Sequence, residues 1–127
     1  MLGRLNTISL AHHLMSQYIT KGDICIDATA GRGFDTAFLC EIVGEEGKVL
    51  AFDIQEAAVT STRALLAEKG LKAEVYLESH TQMGHYCEAE SIAGIMFNFG
   101  YLPGGDHSSA WDGTQVCVGG QTGKRVQ

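Results

Sequence analysis

Apolar residues at Leu5, Ile8, Ala11, Met15, Tyr18 and Ile19 recur at helical spacing, which predicts an amphipathic helix over 5–19 with one buried stripe. Lys21-Gly22-Asp23 ends it. Ile24-Cys25-Ile26 is a short continuous apolar run of the kind that fills a buried parallel strand, with Asp27 at its carboxyl end. A second helix follows a glycine turn, burying Phe34, Ala37, Phe38, Ile42 and Val43 and closing at Gly44. "KVLAFDI" reads as a second strand ending near Asp53. The alternation then repeats, with a helix carrying Val59, Leu65 and Leu66 up to Gly70, a third strand in "AEVYLES", a weaker helical stretch over 81–90, and a fourth strand over 92–97.

Strands alternating with helices of about 10 to 15 residues are the signature of a parallel sheet with right-handed crossovers. The predicted fold for residues 1–109 is therefore α/β, a doubly wound, Rossmann-like parallel sheet. Residues 110–127 break the pattern. They hold four glycines, one apolar run at Val116-Cys117-Val118 and no helix after strand four, so a polar, loosely held tail is expected there.

A chain of 127 residues is one domain's worth, and 45% hydrophobic with 19% charged residues is the balance of a globular protein. No apolar run approaches the roughly 20 residues needed to cross a bilayer. The first 23 residues mix polar side chains through every turn, unlike a signal peptide, so a cytoplasmic location without membrane contact is expected. Cys25, Cys40, Cys87 and Cys117 form no C-x-x-C pair, which points to reduced thiols in the core and to neither a metal nor a redox site. A net charge of −6 argues against nucleic-acid binding over the whole surface and leaves only a local patch, for which Arg4, Lys21, Arg32, Lys69 and Lys72 are the available cations.

The candidate chemistry lies in "DATAGRGFDT". Gly31 and Gly33 let the backbone turn tightly and approach a ligand, and the helix that follows presents free N–H groups to a negative group. Asp53 lies 20 residues beyond Gly33, where an acidic residue accepts hydrogen bonds from ribose hydroxyls. Together these features predict an adenosine-containing ligand, a dinucleotide or S-adenosylmethionine. Thr36 occupies the position where the dinucleotide fingerprint has glycine or alanine, and Asp27 suits a methionine ammonium better than a pyrophosphate, so S-adenosylmethionine is favoured. At the end of strand four, Asn98 can orient an amine through its side-chain oxygen, Tyr101 can stack on a base, and Pro103-Gly104-Gly105 turns the chain over the crevice. His80 and His107 read equally well as loop residues. His12 and His13 are expected on a helix surface or in packing.

"DATAGRGFDTAFL", "AFDIQ", the triplet Glu78-Ser79-His80 and "MFNFGYLPGGDHS" together resemble the small class I methyltransferases called rRNA methylases, of the YtqB or MnmM type, over about residues 5–109. The resemblance implies methyl transfer from S-adenosylmethionine to the exocyclic amine of a 5-aminomethyl-type uridine at the tRNA wobble position. By matching positions, Asp27, Gly31, Gly33, Asp35, Asp53 and Gln55 hold the cofactor, Ser79 and His80 lie near its adenosine, and Asn98, Tyr101, Asp106 and His107 face the nucleotide. Asp106, His107 or water is expected to take the proton from the amine, and neither a metal nor a covalent nucleophile is required. Members of that family continue for several more strands and helices, so the C-terminal strands are expected to be missing from a truncated or frame-shifted chain. The runner-up expectation is a non-catalytic S-adenosylmethionine-binding half-domain that has lost its target, or one that needs a partner chain, a second copy among the candidates, to complete its sheet at the bare edge of strand four. A nicotinamide-dependent oxidoreductase ranks behind both, since no hydride-site constellation accompanies Thr36.

Overall fold

A computed structural model describes residues 7–88, 91–98, 114–118 and 124–126, with side chains described over 9–88 and 91–97. The order is α1 (Thr7–Tyr18), β1 (Ile24–Asp27), α2 (Phe34–Val43), β2 (Lys48–Asp53), α3 (Glu56–Lys69), β3 (Glu74–Leu77), a 3-10 helix (His80–His85), β4 (Gly94–Asn98), β5 (Thr114–Val118) and β6 (Lys124–Val126). One sheet joins all six strands in the order β3-β2-β1-β4-β5-β6. The first four run parallel, so β1 is central between β2 and β4, and strand order reverses beside it. In a sheet of this kind the ligand crevice opens beyond the carboxyl ends of the strands at that reversal.

Both faces of the central strands are buried, as their continuous apolar runs demand. On one face Cys25, Val49, Ala51 and Met96 pack with Ala11 and Met15 of α1, Leu39 and Val43 of α2, and Val59 and Leu66 of α3. The alternate residues Ile26, Leu50 and Phe52 face the other way and pack with Tyr76, Met83 and Tyr86. Burying each such side chain contributes about 1.5–3 kcal/mol, so a one-residue slip of any central strand would exchange two complete sets of contacts. Cys25 and Cys40 are free thiols in this core, and burial pushes them up to about 12 and about 11, which keeps them protonated and unreactive.

The periodicity is correct for every long helix and differs from the structure in four details. Tyr18 and Phe34, assigned to buried stripes, are 57% and 62% exposed. Among the described side chains of the α1 stripe the buried ones are Ala11, Met15 and the following Ile19, while Leu5 and Ile8 lie outside the described side chains. Over the described residues 81–88 the predicted helix is replaced by the 3-10 helix His80–His85, opened by the Ser79 side chain accepting from the Thr81 N–H at 3.2 Å, and residues 89–90 lie outside the described residues. Gly84 and the run His85-Tyr86-Cys87 are poor helix formers, and the segment instead closes an aromatic group in which Phe52 meets Tyr76 at 5.3 Å and Tyr86 at 5.6 Å. The fourth strand is shifted to Gly94–Asn98.

The tail also contributes to the sheet. Thr114–Val118 pairs antiparallel with β4, and Lys124–Val126 pairs antiparallel with β5. The edge of β4 is therefore covered by the chain itself, which removes the bare edge on which pairing with a second copy was expected. No described helix is long and apolar enough to cross a membrane.

Candidate functional site

The turn between β1 and α2 is fixed by backbone bonds to the strands on both sides. The Ala28 N–H donates to the Met96 carbonyl of β4 at 2.8 Å, and the Ala30 N–H donates to the Phe52 carbonyl of β2 at 2.9 Å. Gly31 and Gly33 both adopt positive φ, +57° and +93°, and Gly33 forms the N-cap of α2. A side chain is excluded at Gly33 by space as well as conformation, because its Cβ would lie 2.9 Å from the Thr62 Cα of α3. Thr62 is itself committed here, its hydroxyl donating to the Gly31 carbonyl at 3.2 Å.

Asp53 stands where the sequence places it, for a reason visible in the register. Ala51 of β2 is level with Asp27 at the end of β1, so β2 runs two residues further and brings Asp53 beside the turn. Its carboxylate accepts from the Gly31 N–H at 3.0 Å and from the Gln55 N–H at 2.9 Å. Each oxygen keeps a further lone pair, so the group is oriented by the protein and still able to accept from a ligand hydroxyl.

Beyond the strand ends is a cavity of about 220 Å³ lined by Ala28, Thr29, Asp53, Ile54, Glu78, Ser79 and His80. It joins the turn after β1, the end of β2 and the segment after β3, three stretches distant in sequence. Ile54 offers an apolar wall, 73% exposed, next to the Asp53 carboxylate. An apolar surface for a ring beside an acceptor for hydroxyls, under a glycine turn, fits a nucleoside. A larger cleft of about 510 Å³, lined by Cys40, Glu41 and Gly70–Lys72 among others, opens at the opposite end of the strands, away from the switch point.

Several predicted residues are brought to this end of the sheet in different ways. Ser79 and His80 line the cavity, and the His80 ring meets Phe97 of β4 edge-on at 5.3 Å. Asn98 ends β4 at the same edge, by its parallel pairing with β1. Gln55 caps α3 through its backbone, its N–H bound to Asp53. Tyr101, Asp106 and His107 lie outside the described residues.

Asp27 and Asp35 differ from expectation. Asp27, expected beside a ligand ammonium, has no exposed surface: it accepts from the Thr36 hydroxyl at 2.6 Å and from the Thr29 N–H at 3.1 Å. Its carboxylate serves the turn from behind. Asp35, expected at the cofactor, is nearly buried and accepts from His12 Nε2 of α1 at 2.7 Å. His12 thus has a partner that sequence spacing does not reveal, since 23 residues separate the two. Ile54, Thr29 and Glu78 also escaped assignment as lining residues. Ile54 carried a usable signal, being apolar directly after a strand-ending acid, and the Tyr86 hydroxyl donates to the Glu78 carboxylate.

Burial raises Asp27 to about 7, with the Asp35 and Asp53 carboxylates adding to the rise. The sign of the linkage follows. Between about pH 4 and 7 the folded chain holds a proton on Asp27 that the unfolded chain has lost, so this group's contribution to stability is complete below pH 4 and is lost as pH rises through 7. Asp27→Asn is expected to remove that loss, so that its stability relative to wild type improves by on the order of 4 kcal/mol between about pH 4 and pH 8 in urea unfolding curves. A constant difference across that range would place the proton elsewhere.

The model of the family described as "Putative rRNA methylase" matches residues 49–116. A chloroplastic tRNA (mnm(5)s(2)U34)-methyltransferase of Arabidopsis thaliana is 38% identical over 119 residues, covering 85% of this chain and 43% of the relative. Among solved structures, a "putative rRNA-methylase" from Clostridium thermocellum superposes with a TM-score of 0.74 at 39% identity, covering 85% of this chain and 59% of that one. A "putative methyltransferase" from Streptococcus mutans in complex with SAH superposes with a TM-score of 0.70 at 38% identity, covering 86% of this chain and 59% of that one. The chain spans less than half the length of the curated relative and about three fifths of each of these two structures.

Proposed function

Because this chain belongs to the rRNA methylase family of class I methyltransferases, we propose that it binds S-adenosylmethionine beyond the carboxyl ends of β1–β3 and methylates an amino group of a modified nucleotide in RNA. The acceptor in this reading is a 5-aminomethyl-type uridine at the wobble position of tRNA, in line with the activity named for the Arabidopsis relative. One observation carries the proposal: the Asp53 carboxylate, pinned by the Gly31 N–H, faces the same cavity as Ile54, Ser79 and His80.

The cofactor supplies an electrophilic methyl carbon on a positively charged sulfur, which a neutral amine nitrogen can displace. The chain's own residues bind and orient. Asp53 accepts from the ribose hydroxyls, Ile54 covers the base, and the turn at Gly31 and Gly33 lets the backbone approach the methionine portion. Asp27 keeps that turn in shape through Thr29 and Thr36. Asn98, at the end of β4, accepts from the incoming amine and aims its lone pair, Tyr101 stacks on the base, and Asp106 or His107 takes the proton released. Holding both reactants in line supplies several kcal/mol of the barrier without further chemistry from the protein.

Calorimetric titration with S-adenosylmethionine, with NADH as control, tests the cofactor, and transfer of labelled methyl to tRNA lacking the wobble methyl group tests the acceptor. Saturable binding with no transfer would leave a cofactor-binding module. Asn98→Ala is expected to lower turnover about tenfold, the worth of one well-aimed hydrogen bond, with cofactor affinity unchanged. Equal loss of both would take Asn98 out of amine orientation.

A further inference from the structure

We infer that His12 of α1 is a positioning residue for the cofactor turn, acting through Asp35 and the first turn of α2; this rests on the cofactor site proposed above. Two contacts hold the imidazole. Nε2 donates to the Asp35 carboxylate at 2.7 Å, and the ring lies flat on Phe38, with centroids 3.8 Å apart and planes 3° apart. Position and tilt of the ring are both determined, which surface packing alone would not require.

The contact falls where it can influence the site. Asp35 is the second residue of α2, two positions after Gly33 of the turn and directly before Thr36, whose hydroxyl holds Asp27. Asp27 in turn holds the Thr29 N–H in the cavity lining. The turn is thus secured by Asp27 from behind, by Asp53 from β2, by Thr62 from α3 and, at its helix end, by His12 from α1. A nearly buried carboxylate is held in place by its donors, and losing the short one from His12 loosens its position. Relaxation of Asp35 would shift the first turn of α2 and the glycines that lead into it.

The test compares the full chain as wild type, His12→Phe and His12→Gln, by calorimetric titration with S-adenosylmethionine and by thermal melting. Phenylalanine keeps the stack on Phe38 and removes the donor, whereas glutamine keeps an N–H donor. The expected result is a Kd about tenfold weaker for His12→Phe and within about twofold of wild type for His12→Gln, with similar melting for both. His12→Phe binding as tightly as wild type, or His12→Gln binding as weakly as His12→Phe, overturns the inference. Amide exchange at Ala37, whose N–H closes the first turn onto the Gly33 carbonyl at 2.8 Å, reads the same effect without cofactor. It is expected to be faster in His12→Phe and restored in His12→Gln, and equal rates in all three overturn the positioning role. A wild-type chain that binds no S-adenosylmethionine overturns the proposed function instead, and exchange at Ala37 then decides the role of His12 by itself. Should His12→Phe not melt cooperatively, His12→Ala replaces it under the same criteria, alanine being the best helix former.

Discussion

Asp53→Ala is expected to weaken S-adenosylmethionine binding about 10- to 100-fold, the range for losing hydrogen bonds to a charged group. Two effects add. In the proposed site the ribose hydroxyls would lose their acceptor, and the Gly31 and Gln55 N–H groups, held at 3.0 and 2.9 Å, lose theirs. Asp53→Asn separates them, because its single carbonyl oxygen can still hold one backbone donor while the charge is gone. An intermediate loss for asparagine, with both variants melting as the wild type does, would assign most of the effect to the ligand. Calorimetric titration of the three proteins makes the measurement, and unchanged affinity in Asp53→Ala would rule out this carboxylate as the ribose acceptor.

Gly33→Ala is expected to destabilise the fold by about 3 kcal/mol, the sum of two costs. A left-handed backbone costs an ordinary L residue roughly 1–2 kcal/mol, and forcing a methyl into a filled space costs about 1–3 more. The second cost is firm here because the obstructing atom is the Thr62 Cα, 2.9 Å from the new Cβ, and backbone cannot swing aside as a side chain can. Gly70→Ala provides the control. Gly70 has φ +69° at the end of α3 with nothing within 4 Å of the added Cβ, so only the conformational cost of about 1 kcal/mol applies. Urea unfolding followed by circular dichroism should separate the two variants by about 2 kcal/mol. Equal losses would mean that α2 and α3 part easily at this contact, and that the turn is less rigid than its hydrogen bonds imply.

Most of the fold was legible because its determinants are local. Glycines at 44 and 70 end α2 and α3 as expected, since both take positive φ, a conformation glycine adopts without help from a distant partner. The central strands were legible because residues buried on both faces leave an unbroken apolar run. Phe34 and Tyr18 were misplaced for the complementary reason: the same apolar character serves a core or a binding surface, and only the neighbours distinguish them. The stretch 81–90 was misread as a helix because weak propensity yields to packing, here of Tyr86 against Phe52 and Tyr76.

At the site, the sequence by itself determined the residue types and their order: a strand ending in Asp27, a turn that only glycine can make at position 33, and an acid at Asp53 after the next strand. Spacing along the chain carries that information, because each residue is set by the element it ends or begins. Tertiary structure alone decided which of the carboxylates lines the cavity. Asp27, Asp35 and Asp53 are alike in sequence, yet register puts Asp53 at the cavity, burial turns Asp27 inward to Thr29 and Thr36, and helix packing gives Asp35 to His12. A carboxylate's role depends on its solvation and its donors, and the donors that set these three apart, Thr36, Gly31 and His12, lie 9 to 23 positions away, where only the folded chain brings them near.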